Sequence, residues 1–205
     1  MKTGSLIDML ARGAGPAPRA VAARRLWPAA ALGLLASAAM ALSLFGSIPA
    51  SMHASTAPWL KLSYAVALAL AAGWLTAGLA RPVARLNLPR RAVLVVLVVM
   101  VLVGTWSLVA ASSADRLAMV FGQTWRSCPW NILALSVPAL AGALWAVRGL
   151  APTRLRPAGF AAGLLAGAVG AGGYAVACPE ASMTFVAVWY TLGIGLTGCL
   201  GALLG

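Results

Sequence analysis

Six apolar stretches recur along the chain, and each is close to the ~20 residues that a helix needs to cross the hydrocarbon core of a bilayer. Short polar breaks separate them, so neighbouring helices are expected to run antiparallel, as three hairpins. The fold class predicted by this pattern is an all-α bundle of six transmembrane helices. The predicted spans are about 27–47, 60–80, 92–110, 131–147, 158–176 and 182–204.

Composition supports the membrane class. Of the 205 residues, 62% are hydrophobic and 9% are charged, and the mean hydropathy is +0.93. A soluble domain carries about 25% charged residues, so a soluble core of this size could not cover so much apolar surface. The net charge of +12 does not indicate a nucleic-acid surface, because the arginines stand in short clusters between apolar runs. We therefore expect a lipid bilayer as a partner and no direct contact with nucleic acid.

The basic residues indicate the orientation of the chain. Of the 15 lysines and arginines, only Lys61, Arg116 and Arg126 fall on one side of the predicted membrane. All the others fall in the N-terminal leader and in the breaks on the opposite side. Because cytoplasmic segments carry the excess of Lys and Arg, both termini are predicted to be cytoplasmic.

Residues 1–26 form a leader that is less apolar than the spans and is predicted to be cytoplasmic. Thr3-Gly4-Ser5 can cap a short helix on which Leu6, Met9 and Leu10 share one face. A connector rich in Gly and Pro follows. Two interpretations stay open from composition: a disordered cationic leader, or a peptide that docks a cytoplasmic partner.

Two Cys-Pro pairs stand in polar breaks just before apolar spans, Cys128-Pro129 and Cys178-Pro179. Proline is favoured at the first helical position, so each pair predicts a helix start. A helix N-terminus favours the thiolate, which predicts two reactive thiols on the extracytoplasmic side. Three tryptophans near the starts of the second and fourth spans are predicted to anchor at the lipid headgroups: Trp59, Trp125 and Trp130.

Glycine and proline positions predict how the spans pack. Gly159, Gly163 and Gly167 repeat every four residues, so the fifth span should let a neighbouring backbone approach closely. We expect this stripe to serve packing within one bundle. Pro138 should bend the fourth span, because its missing N–H interrupts the helical ladder.

The residues for catalysis are largely missing. The only acids are Asp8, Asp115 and Glu180, and the only histidine is His53. No paired carboxylates, phosphate-binding loop or Cys-x-x-Cys pair occurs, so we expect no enzyme. Lys61 falls at the edge of the second span and is assigned to the extracytoplasmic side. No ionisable group is therefore expected within the membrane, which disfavours a proton-coupled transporter.

The thiols still offer chemistry. Cys128 and Cys178, with Glu180, His53 or Asp115 as accessory ligands, would suit a transient zinc- or cadmium-like ion. The same two thiols could instead form a disulfide, which at this stage is as good an interpretation as the metal site. Cys199, in the last span, is interpreted as a small apolar filler.

Four sequence blocks, taken together, closely resemble NrsF, a family of six-span anti-sigma factors that are negative regulators of sigma F. The blocks are Leu6-Ile7-Asp8-Met9-Leu10-Ala11, Trp125-Arg126-Ser127-Cys128-Pro129-Trp130-Asn131, Cys178-Pro179-Glu180 and Phe185-Val186-Ala187-Val188-Trp189-Tyr190. The resemblance extends over essentially the whole chain, and the two Cys-Pro blocks are its specific part.

The resemblance implies a bacterial inner-membrane protein that holds an extracytoplasmic-function sigma factor inactive. It implies that Cys128 and Cys178 sense heavy metals or oxidants, and that the leader engages the sigma factor through Leu6, Asp8 and Leu10. No permanent cofactor is implied, and the oligomeric state is left open. Two other hypotheses remain: a transporter or channel for a small solute, and a structural membrane subunit with a static disulfide.

Overall fold

The structure is a computed structural model that describes residues 3–13, 21–49, 52, 55–81, 85–150 and 152–205. These residues form helices joined by turns, and no β-strand occurs among them, which confirms the all-α class. The helices are α1 (Thr3–Gly13), α2 (Val21–Phe45), α3 (Ala57–Leu79), α4 (Asn87–Ala110), α5 (Arg116–Phe121), α6 (Cys128–Leu135), α7 (Val137–Arg148), α8 (Leu155–Tyr174) and α9 (Met183–Leu204). Helix α9 contains one π-helical turn, Val186–Tyr190.

Each predicted span coincides with a helix or a pair of helices. Four helices in the described part of the chain, α2, α3, α4 and α9, are long and apolar enough to cross a membrane, and the bent pair α6–α7 would make a fifth. Helix α8 is less apolar than these helices, because seven of its 20 residues are glycine or arginine. The six-span arrangement with both termini on one side therefore remains a prediction.

Helix α8 is the centre of the bundle, since every residue from 161 to 174 is buried. Its glycines allow this packing. A methyl group at Gly163 would collide with the backbone of Thr197 and Gly198 in α9, and one at Gly173 would collide with Ser37 in α2. The predicted close packing of the glycine stripe is confirmed, and the neighbour is α9 of the same chain.

The fourth predicted span is bent by 46° between α6 and α7. The break lies at Ser136, two residues before Pro138, which occupies the first turn of α7. Ser136 is buried against Gly170, and its hydroxyl donates to the Ile132 carbonyl at 2.5 Å. The bend predicted from Pro138 is confirmed, since proline supplies no N–H to continue the ladder across the break.

The directions of the helices define which segments share each end of the bundle. Helix α2 runs antiparallel to α7, because Gly33 meets Ala139 and Ala29 meets Gly142. Helix α8 runs antiparallel to α9, because Gly159 meets Gly201 and Gly167 meets Ile194. We call one end the cysteine end, which holds Cys128 and Cys178. We call the other the leader end, where α2 begins and α9 stops. The helix termini at the cysteine end are Phe45, Ala57, Ala110, Cys128, Tyr174 and Met183.

Candidate functional site

Cys128 is the first residue of α6, with Ser127 at the N-cap position and Pro129 in the first turn. Its amide donates to the Thr124 carbonyl at 2.8 Å, which joins the helix to the preceding turn. The predicted helix start is therefore confirmed. The side chain is a free thiol with no exposed surface. A reagent must open the bundle locally to reach it.

Cys178 does not begin a helix, and the prediction that it would is wrong. It follows the end of α8, where its amide donates to the Tyr174 carbonyl at 3.0 Å. The next helix starts only at Met183, because Ser182 supplies a side-chain cap that accepts from the Phe185 amide. Proline alone offers no such acceptor. Cys178 is also a free and fully buried thiol.

Lys61 lies beside Cys178, at the end of the bundle predicted for it, but it is buried inside a helix. It is inside α3 and has no exposed surface, so the expectation of spans without ionisable groups is wrong. Its ammonium donates to the Cys178 carbonyl at 2.8 Å and is within electrostatic range of Glu180 and Cys128. Pro58 was a usable signal, because a helix that opens at Pro58 already includes Lys61 in its first turns.

Glu180 binds the turn that precedes α6. Its Oε1 atom accepts from the Gln123 amide at 2.7 Å, the Thr124 amide at 2.9 Å and the Thr124 hydroxyl at 3.0 Å. Gly122 has φ of +53°, and a methyl group there would lie 2.5 Å from Oε2 of the carboxylate. Glycine fits both the conformation and the space. Only 9% of the Glu180 surface is exposed.

Two tyrosines complete the surroundings of the thiols. The Asn131 side-chain amide donates to the Tyr174 hydroxyl at 3.2 Å, which joins α6 to α8. Tyr190 lies in the π-helical turn of α9, with its ring 6.0 Å from that of Tyr174. The buried Tyr190 hydroxyl is close to Cys178 but makes no hydrogen bond among the described residues. Neither tyrosine was identified from the sequence.

The three predicted anchors differ in their surroundings. Trp59 and Trp130 are 65% and 62% exposed at the cysteine end, as rings facing headgroups would be. Trp125 is half-buried and packs on Phe121 and Trp189, with ring centroids 5.4 and 5.3 Å away. This aromatic cluster seats α5 against α9. The assignment of all three to an interface stays a prediction.

The structure does not bring Asp115 to the thiols. Asp115 is exposed and accepts from the Ser112 hydroxyl at 2.7 Å in its own turn. His53 lies outside the described residues. In the part of the chain that the structure describes, no three His, Cys, Asp or Glu side chains form a group able to hold a metal ion. Cys199 is exposed on α9, so its interpretation as a packed filler is wrong.

The candidate docking residues lie on α1, which forms the predicted helix. Leu6, Asp8 and Leu10 are all exposed, and no residue of this helix is buried. Leu6 is 44% and Leu10 is 66% exposed. The helix presents apolar side chains that no described contact covers, and their role in docking stays a prediction.

Comparison with known proteins identifies the family. The family model described as NrsF, negative regulator of sigma F, matches residues 10–205, which includes Leu10 but not Leu6 or Asp8. The probable anti-sigma-F factor NrsF of Azospira oryzae is 39% identical over 207 residues, covering 100% of this chain and 97% of the relative. The anti-sigma-F factor NrsF of Caulobacter vibrioides is 38% identical over 215 residues, with the same coverage. No solved structure matches the chain. Since both the family model and the relatives extend along the whole bundle, the chain belongs to the NrsF family, the negative regulators of sigma F.

Proposed function

We propose that this chain is a multi-pass anti-sigma factor of the bacterial inner membrane. It holds an extracytoplasmic-function sigma factor at its leader end and releases it when Cys128 and Cys178 react at the cysteine end. Several exposed apolar helices support the membrane location: on α4, for example, Leu102 and Trp106 are 60% and 77% exposed. Such a surface is stable in lipid and not in water.

The observation that carries the proposal is the convergence of Cys128 and Cys178. The two residues are far apart in sequence, yet both are free, fully buried and within electrostatic range of each other. Buried Lys61 contacts the same segment. Cys128 lies at the start of α6 and Cys178 lies between α8 and α9. A reaction of the two thiols can therefore link these two segments or move them apart.

Two kinds of input use this arrangement. In oxidation, the two thiols give two electrons to an oxidant and lose two protons as a sulfur–sulfur bond forms. In metal binding, both thiols deprotonate and ligate a soft ion such as zinc or cadmium. No third ligand is assembled among the described residues. Oxidation needs only the two sulfurs.

The signal travels along the two helices that follow the cysteines in the chain. Helix α6 starts at Cys128 and continues through the bend into α7, and α9 starts five residues after Cys178. Both reach the leader end. A tenfold release of a bound partner requires the reaction to shift the bundle by about 1.4 kcal/mol, which is small compared with a covalent or thiolate–metal bond.

A transcriptional reporter for the sigma factor that this chain binds tests the input. We expect Cys128→Ser and Cys178→Ser each to abolish induction by oxidant and by cadmium while repression is kept. Cys199→Ser is the matched control, because that thiol is exposed and lies away from the cluster, and it should induce normally. Normal induction in both cluster variants would refute the proposed input.

A binding assay tests the output. We expect that removing residues 1–13 abolishes capture of the sigma factor by the full chain in detergent, and that Leu6→Asp with Leu10→Asp does so as well. The reason is that α1 presents exposed apolar side chains. Undiminished capture by both variants would place the docking surface elsewhere.

A further inference from the structure

Glu180 connects the two cysteine segments of the chain. It lies two residues after Cys178, and its carboxylate accepts hydrogen bonds from Gln123 and Thr124. These residues belong to the turn Gly122–Thr124, which leads into Cys128. We propose that Glu180 is a positioning residue whose carboxylate clamps this turn and so keeps Cys128 near Cys178. The inference rests on the proposed thiol switch and replaces the role of accessory ligand with a mechanical one.

The bonds of the carboxylate form a continuous path to the thiol. Oε1 accepts from the Thr124 amide at 2.9 Å, and the Thr124 carbonyl accepts from the Cys128 amide at 2.8 Å. Thr124 alone therefore links Glu180 to the first backbone amide of α6 through two hydrogen bonds. A carboxylate makes stronger hydrogen bonds than a neutral acceptor does, and three of them converge on one oxygen.

The shape of the turn is matched to the carboxylate. Gly122 adopts φ of +53°, and the space where a side chain would begin is filled by the Glu180 carboxylate. Successive amides that face one anion make a concave anion site, and here the anion belongs to the chain itself. The clamp can therefore be broken from either side, by changing Glu180 or by adding a methyl group at Gly122.

The other side of the clamp is fixed independently. The Cys178 carbonyl is bonded to Lys61 in α3, and the Cys178 amide to Tyr174 in α8. Cys178 thus stays in place when Glu180 is replaced. What changes is the freedom of the Gly122–Thr124 turn, and with it the position of Cys128.

The test is the rate of disulfide formation between Cys128 and Cys178, measured on the full chain in detergent. Every variant carries Cys199→Ser, the oxidant is diamide, and a short thiol-to-thiol cross-linker is run in parallel. Products are quantified by mass after alkylation. We expect Glu180→Ala and Gly122→Ala each to slow linkage at least tenfold, with Glu180→Gln intermediate because its amide oxygen still accepts. Asp115→Asn, a carboxylate change outside the clamp, should leave the rate unchanged.

The double variant separates a shared clamp from general loosening. If Gly122→Ala acts by displacing the carboxylate, it should add less than a twofold effect once Glu180 is alanine. Linkage at the parental rate in Glu180→Ala, or failure of the parent to link with either reagent, would overturn the proposal. Retained helical signal on heating verifies that the variants are folded. The rate does not depend on a sigma factor, so this result is independent of whether the chain represses one.

Discussion

The contact between α8 and α9 gives a quantitative prediction for Gly163→Ala. The new Cβ would lie 2.8 Å from the Gly198 Cα and 3.0 Å from the Thr197 carbonyl carbon, both of them backbone atoms. The Thr197 carbonyl oxygen lies closer still. Because ordinary contact begins at 3.4 Å, α9 must retreat by more than half an ångström. Overpacking of this kind costs about 1–3 kcal/mol. We expect Gly163→Ala to lower the free energy of unfolding by that amount.

Gly195→Ala is the matched control on the partner helix. No atom lies within 4 Å of its added methyl group, so only the helix propensity changes, by up to about 1 kcal/mol in favour of alanine. The two variants should therefore differ by about 1–4 kcal/mol. The measurement is unfolding by SDS in a nonionic detergent, followed by helical circular dichroism. A Gly163→Ala protein as stable as Gly195→Ala would refute the close backbone contact.

Two further stability predictions concern the buried cluster. Lys61→Met should destabilise the protein by about 1–3 kcal/mol in the same assay, because the Cys178 carbonyl loses its partner. A variant as stable as the parent would mean that releasing the buried ammonium offsets the lost bond. Tyr190→Phe should be neutral or stabilising by about 1 kcal/mol, since it removes a buried hydroxyl with no hydrogen bond among the described residues. A loss of 1 kcal/mol or more would reveal a partner for that hydroxyl.

Apolar length and glycine spacing were sufficient to predict the helices and much of their packing. Each predicted span begins and ends within a few residues of a helix, except where a helix extends into a polar segment at its start, as α2 does. The glycine stripe of α8 and the bend near Pro138 were predictable because both follow from local covalent properties: a missing side chain and a missing N–H. The glycine spacing did not predict which helix would pack against α8.

The surroundings of the cysteines were less predictable, because they depend on contacts between distant segments. The sequence indicated that both cysteines share one end of the bundle. It did not indicate that Lys61 and Glu180 each bond to backbone groups there rather than to solvent or a metal ion. The cap at Ser182 also outweighed Pro179 in deciding where α9 starts, because a side-chain acceptor satisfies an amide that proline leaves unpaired.

The angle between α6 and α7 makes α7 a lever arm. Its 12 residues extend about 18 Å at 1.5 Å per residue, so a 46° deviation places its far end about 13 Å from a straight continuation of α6. Because Arg148 lies about 18 Å from the bend, opening or closing the angle by about 5° would move it about 1.5 Å sideways. A small change of angle at Ser136 therefore becomes a displacement at Arg148 that can exchange one set of contacts for another.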